Sequence, residues 1–368
     1  MRSSAVVDLG AIRDNVAAIR RRVGDAEVMA VVKADAYGHG LVPAARAAVA
    51  GGAGWLGVAF LDEALSLRAA GLTQRTLAWL FTPSEDLAPA IAADVDLGIY
   101  SIDELARVAT AAERAGRQAR VHLKIDTGLS RGGCVADDWP ELVEAAAKAQ
   151  TTGLVDVAGV WSHLASGEEG PRHSGNQEQK AAFAEAVAIA AELQPEVRHL
   201  ANSGALLTDT ATHHDLVRAG AGIYGLVPAP AFGDFGLRPA MTLRAEVALT
   251  KRVRAGSGVS YGHRYTTAQE TTLALVPLGY GDGVPRGASN AVPLSLKGKR
   301  YTVAGAVAMD QLVLDVGDAD VRPGDEVVLF GAGGPTALEW AEATGTIDYE
   351  IVTRISGRVP RVYVGGDL

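Results

Sequence analysis

"AVVKADAYGHG" occupies Ala30–Gly40. An apolar, β-rich run through Val28, Met29, Ala30, Val31 and Val32 stops at Lys33, and the loop after it carries Asp35, Tyr37 and His39 between glycines. Taken alone, Lys33 reads as a surface lysine where a strand meets water. The same pattern recurs, however: apolar stretches at 27–32, 55–60, 76–81, 97–100, 119–125, 157–163, 197–201 and 215–218 alternate with Ala/Glu/Arg-rich helical ones. "SIDEL" (101–105) reads as a capping box on Ser101 and Glu104 opening a helix over 101–115. Ala182, Phe183, Val187 and Ala190 mark one face of a helix over 176–193, and Leu9, Ile12, Val16 and Ile19 one face of an earlier helix. Strand–helix alternation implies a parallel sheet, and eight such units predict an α/β fold of the (β/α)8 barrel type over residues 1–235.

Beyond 236 the texture changes. β-rich segments at 241–253, 271–278, 291–303, 311–315 and 326–330 are separated by Gly-rich turns, with one short helix at 336–343 capped by Thr336. Residues 236–368 therefore read as a mostly β C-terminal domain, joined through "PAPAFGDFG" (228–236).

The bulk composition narrows the function. Net charge is −9, hydrophobic residues make up 48% of the chain, and no Lys/Arg-rich stretch stands out, which argues against nucleic-acid or anionic-membrane partners. Uncharged runs such as 47–61 reach roughly 15 residues and are broken by glycine, too short to span a bilayer. The single cysteine, Cys134, excludes an intrachain disulfide framework. With no signal-peptide pattern at the start, the expected location is the cytoplasm.

In a barrel of this type, chemistry collects where strands end. Those ends supply Lys33, Lys124 and Asp126 of "RVHLKID", His163 of "VWSH", Asn202 and Ser203 of "HLANSG", and Arg218 of "LVRAGAG". In strand five, Val121, Leu123 and Ile125 face one way and His122, Lys124 and Asp126 the other. "GAGIYG" (Gly220–Gly225) is a literal G-x-G-x-x-G, but "LVPAPAFG" breaks any following helix, so a phosphate held by backbone N–H groups is the simpler reading. Metal-ligand spacings and a G-x-S-x-G elbow are missing. His122 and His39 read as structural, and His213–His214–Asp215 as a polar turn.

A site lysine, a phosphate cradle, a positioned histidine and an arginine point to a pyridoxal phosphate barrel. At this point the sequence strongly resembles the alanine racemase family. "AVVKADAYGHG", "HLKIDTGLSRGG", "WSHLA", "LANSGA" and "LVRAGAGIYGL" match in order, followed by "VSYGHRYT", "PLGYGDG", "AMDQ" and "ISGRVPR". The resemblance implies pyridoxal 5′-phosphate as cofactor, alanine as substrate and a homodimer with shared active sites. It implies that Lys33 forms the Schiff base and acts as one base, and that Tyr261, from the second domain of the other subunit, is the second. Arg218 would face the pyridine nitrogen, His163 would pack on the ring, and Tyr37, Asn202, Ser203, Gly220 and Ala221 would serve the phosphate end. Arg131 would reach cofactor and substrate carboxylate, with Met309 and Tyr280 bordering the substrate. Lys124 matches a lysine often carbamylated in the family. Two departures bear on specificity: Gly357 stands where well-studied members place a tyrosine, and Ala306 and Ala308 where an Arg and a Cys are common. A racemase of serine or of a broader set of amino acids is the alternative. A pyridoxal phosphate carrier would need no β domain, and an amino-acid decarboxylase of the same class matches these motifs less well.

Overall fold

The computed structural model describes residues 2–366. Its first strand, β1 (Ser3–Asp8), does not belong to the barrel. The sequence reading places residues 1–235 in one unit, but β1 lies in the second unit's sheet, antiparallel to β10 (Met241–Glu246) and parallel to β19 (Arg361–Val364). Ala5 and Val7 are fully buried there. The cause is simple: six residues of alternating pattern need ladder partners, and these lie more than 200 residues away.

The eight expected strands form one parallel sheet: β2 (Glu27–Val31), β3 (Trp55–Val58), β4 (Arg75–Ala78), β5 (Val95–Ile99), β6 (Ala119–Lys124), β7 (Val155–Trp161), β8 (Val197–His199) and β9 (Leu216–Ala219). Their order runs β8-β7-β6-β5-β4-β3-β2-β9. The ring is drawn shut between β8 and β9 by Asp215 N–H to Arg198 O (3.1 Å) and Arg218 N–H to Ala201 O (3.0 Å). Both strand faces are buried, as parallel sheets require. On β2, Val28 and Ala30 join the core shared with the helices, while Met29 packs inside the ring with Trp55, Leu77, Val197 and Leu216.

Helices follow the pattern read from the sequence. Leu9–Val23 buries Leu9, Ile12, Val16 and Ile19. Ile102–Ala115 starts where Ser101 Oγ accepts from Glu104 N–H (3.2 Å), but the Glu104 carboxylate reaches Tyr100 N–H instead of closing a box on Ser101. Ser174–Ile189 buries Phe183 completely.

The second unit is mostly β. A six-stranded sheet orders β16-β15-β18-β10-β1-β19, with β15 Pro293–Leu296, β16 Lys299–Thr302 and β18 Glu326–Phe330. A three-stranded sheet orders β11-β14-β17 (Leu249–Val253, Thr271–Val276, Leu312–Gly317), and β12 (Gly258–Val259) pairs with β13 (Tyr265–Thr266). The expected helix is Ala337–Thr344, and Thr336 accepts from Glu339 N–H at its start (3.0 Å). A further short helix, Asp348–Thr353, and β19 go beyond the sequence reading.

Candidate active site

Lys33 leaves β2 into an unusual turn. Ala34, Asp35, Ala36 and Tyr37 all have φ of 52–55° and ψ of 38–53°, a left-handed helical turn built without glycine. That conformation costs L-residues about 1–2 kcal/mol each, so surrounding contacts must enforce it. Glu63 accepts from Ala34 N–H (2.6 Å) while its other oxygen accepts from the N–H of Ala59 and Phe60. Asp35 Oδ1 accepts from Leu41 N–H (2.8 Å). His39 is fully buried and bonds the carbonyls of Ala36 and Tyr37 through Nδ1 (2.9 and 3.0 Å), while stacking on Tyr224. Burial lowers its pKa to about 4, so it is neutral and Nδ1–H donates. Asp35 and His39, which the sequence left without a role, hold the turn that carries Lys33 and Tyr37. Glu63 and Tyr224 were missed by the sequence reading: Glu63 sits in no motif, and Tyr224 lies within "GAGIYG", where only the glycines and Ala221 were read.

Opposite this turn, the ends of β8 and β9 converge. Ser203 Oγ accepts from the N–H of Gly220 (2.8 Å) and Gly222 (3.3 Å). Asn202 Oδ1 accepts from Ala205 N–H (3.0 Å), capping the short helix that starts at Ser203. Gly220 has a steric reason: a Cβ there would stand 2.6 Å from the Tyr37 hydroxyl. The buried backbone N–H groups of Ser203, Gly204 and Ala221 have no hydrogen-bond partner among the described residues. Orphaned buried donors are rare, and three together beside a phenol fit an anionic ligand. Tyr37, Ser203, Gly220 and Ala221 are thus brought together as expected for a phosphate end.

The mouth between them is cationic. Burial, then Arg131, lowers the pKa of Lys33, which Glu63 partly opposes. Lys124 is 5% exposed, and burial, then Arg218 and Arg131, push its pKa down to about 8. Arg218 is held at about 9 by burial and stays charged at neutral pH. Its guanidinium donates to the carbonyls of Ser162, His199 and Leu200 and to ring nitrogens of His199 (3.0 Å) and His163 (3.3 Å). His163 is kept neutral by burial and by Arg218. Because a guanidinium only donates, His163 Nδ1 accepts and the ring proton sits on Nε2. Arg131 is exposed at the rim.

Tyr261, Met309 and Tyr280 are not brought to this mouth within one chain. They are 75%, 53% and 41% exposed. They share one region of the β unit: Tyr280 N–H and Gly281 N–H donate to the carbonyls of Ala308 and Met309, and Ser260 Oγ donates to Ala306 O (2.7 Å). Ala306 is buried, whereas Gly357 is exposed with no atom within 4 Å of where a Cβ would stand. Among the described residues no group of three or more His, Cys, Asp or Glu could hold a metal ion, and no helix is long and apolar enough to cross a membrane.

Known proteins share this arrangement. The family model "Alanine racemase, N-terminal domain" matches residues 7–228 and "Alanine racemase, C-terminal domain" residues 240–363. A curated alanine racemase of Frankia casuarinae is 57% identical over 372 aligned residues, covering 99% of this chain and 97% of its own. The crystal structure of alanine racemase from Streptomyces lavendulae superposes with a TM-score of 0.97 at 53% identity, covering 99% of this chain and 97% of that one. The enzyme from Bartonella henselae, solved with covalently bound pyridoxal phosphate, is 28% identical with a TM-score of 0.90, over 99% of this chain and 100% of its own. By sequence and by fold, the chain belongs to the alanine racemase family.

Proposed function

We propose that this chain interconverts L- and D-alanine with pyridoxal 5′-phosphate held at the barrel mouth, and that Lys33 and Tyr261 are its two proton carriers. The observation that carries the reading is the mouth itself: a lysine shifted toward neutrality, a buried guanidinium and a neutral imidazole face a cradle of unpartnered N–H groups. These residues fit the group found in the Bartonella relative: an amine for its aldehyde, backbone donors for its phosphate, a donor-only side chain for its ring nitrogen. Bound there, the cofactor would supply the electron sink that makes the Cα proton of alanine removable.

The chain's own residues do the rest. A lowered pKa lets Lys33 Nζ take a proton near neutrality. A single base tends to return the proton to the face it left, so inversion needs a second carrier on the opposite face, and Tyr261 is the candidate. In one chain Tyr261 is exposed to solvent, which supports a homodimer in which Tyr261 of the partner subunit completes the site. Arg218 can only donate, so it holds its acceptor unprotonated and keeps the sink weak, favouring prompt reprotonation over side reactions. Arg131 binds the substrate carboxylate, and Met309 and Tyr280 border the substrate. Such an enzyme works in the cytoplasm and supplies D-alanine for peptidoglycan. A wider range that includes serine is the second reading, favoured by the open space at Gly357.

Purified protein incubated with pyridoxal phosphate and a panel of L-amino acids, followed by chiral separation, tests this. D-alanine should form fastest. If L-alanine stays unchanged while the cofactor is bound, the proposal is wrong. Tyr261→Phe should keep the cofactor absorbance yet lose most racemisation.

A further inference from the structure

Below the mouth, the barrel interior carries a line of polar groups that leads up to Arg218. Asp96 of β5, His122 of β6, His199 of β8 and Arg218 of β9 are 2%, 0%, 0% and 4% exposed. Arg218 Nη1 lies 3.0 Å from His199 Nδ1, His199 Nε2 lies 2.9 Å from His122 Nδ1, and His122 Nε2 lies 3.1 Å from Asp96 Oδ2.

The chemistry of the two ends dictates every proton between them. A guanidinium has only donors, so His199 Nδ1 accepts and His199 carries its proton on Nε2. That proton goes to His122 Nδ1, which leaves the His122 proton on Nε2, donated to the Asp96 carboxylate. Reversing either ring would set donor against donor at Arg218 or acceptor against acceptor at Asp96. At its upper end Arg218 also donates to His163 Nδ1, so the order continues to the mouth.

Charge follows the same line. Among the described residues Arg218 meets no carboxylate directly, and an unpaired buried cation is costly. At the barrel floor Asp96 faces Arg75 (3.4 Å) and Arg120 (3.3 Å), which also pair with Glu196, while Arg120 reaches Asp156. Two guanidinium groups against three carboxylates leave one net negative charge, the complement of Arg218.

The rings are also locked. A Cβ on Gly159 would collide with the His122 imidazole, so β7 has a glycine where His122 lies. Trp161 stacks on His199 with its plane 6° away, and its Nε1–H donates to His122 O (3.3 Å). Trp55 meets His122 edge-on.

We propose that Asp96, His122 and His199 are positioning residues for racemisation: a carboxylate at the barrel floor sets, through two hydrogen-bonded imidazoles, the orientation of Arg218 and the proton position on His163 at the mouth. This rests on reading Arg218 and His163 as site groups. The test uses full-length purified protein labelled with 15N-histidine, with signals assigned by single substitutions. Long-range 1H–15N spectra should show His122 and His199 each carrying its proton on Nε2. Asp96→Asn, which keeps the shape but removes the charge, should disturb the His199 signal. It should also lower kcat by roughly tenfold, the low end of what losing an outer orienting partner costs, with KM for L-alanine nearly unchanged. A protonated or Nδ1–H ring in the unsubstituted protein overturns the relay, as does Asp96→Asn with unaltered kcat. Should the protein not racemise alanine at all, the proposed function fails while the tautomer result still stands or falls separately.

Discussion

Lys124 projects between the rings of Tyr100 and Trp161, its Nζ 4.9 and 4.7 Å from their centroids. Burial first, then the cations Arg218, Arg131 and Lys33, depress its pKa, and Asp126 opposes them. With a pKa of about 8, an appreciable fraction is a free amine at neutral pH, and a free amine adds CO2 to give a carbamate and a proton. The product is an anion among cations, which is electrostatically favoured in a site screened from water. Protein equilibrated with 13C-bicarbonate should therefore show a carbamate carbonyl signal that Lys124→Met lacks, and Lys124→Met should lose activity through poorer placement of Arg131. Identical spectra for both proteins would show that Lys124 stays an amine. The pattern around Lys124 was legible in "RVHLKID", because alternation put it on the same face as His122. Asp96 left a fainter signal: a charged residue within a strand whose five positions are all buried.

The turn Ala34–Tyr37 is the element in which local strain and function meet. Glycine relieves the left-handed penalty of about 1–2 kcal/mol but adds about 0.5–1 kcal/mol of chain entropy. At Ala34, whose side chain is exposed, the first effect wins, so Ala34→Gly should raise stability by about 0.5–1 kcal/mol while loosening Lys33 and lowering kcat. At Ala36, fully buried, loss of the methyl's burial cancels the gain. Urea denaturation of both variants checks the order; equal effects would mean that strain is not what holds this turn. His39 adds a pH dependence. Its pKa is near 6.5 unfolded and about 4 folded, so between those values the unfolded chain binds a proton that the folded one does not. Stability is complete above pH 6.5 and falls as pH drops toward 4, by roughly 3 kcal/mol for this one residue. Neutral, buried His163 and His199 act in the same direction. Unfolding free energies at pH 7.5, 6.5 and 5.5 should decline, with a shallower slope for His39→Gln; a flat profile contradicts a neutral buried His39. Nothing in "ADAY" announces the turn, since only Asp among these residues tolerates left-handed backbone well. The barrel strands were legible as short, mostly apolar runs alternating with helical patterns.

Scale matters most for the whole molecule. The sequence showed two textures, yet it could not show that β1 crosses into the second unit, because a six-residue strand reveals its partners only in space. Nor could spacing alone bring Tyr261 to Lys33, and within one chain the structure does not do so. Tyr261, Met309 and Tyr280 are exposed, at 75%, 53% and 41%, and lie together in one region of the β unit. A two-fold dimer would cover such surface and place the same patch of each chain against the other. Subunit mixing turns this into a measurement. Lys33→Ala and Tyr261→Phe should each be inactive alone. If one chain supplies the lysine and the other the tyrosine, a mixed dimer contains one site with both substitutions and one site with neither. Random reassociation of equal amounts makes half of the dimers mixed, so about one quarter of all sites become intact. Mixing the two inactive proteins under conditions that exchange subunits should restore about a quarter of the unsubstituted activity, and an equal amount of a doubly substituted chain should instead roughly halve the activity of the unsubstituted protein, because their mixed dimers hold no intact site. If mixing restores nothing while gel filtration shows that subunits have exchanged, each site is built from a single chain, and Tyr261 must then reach Lys33 by a rearrangement of the β unit.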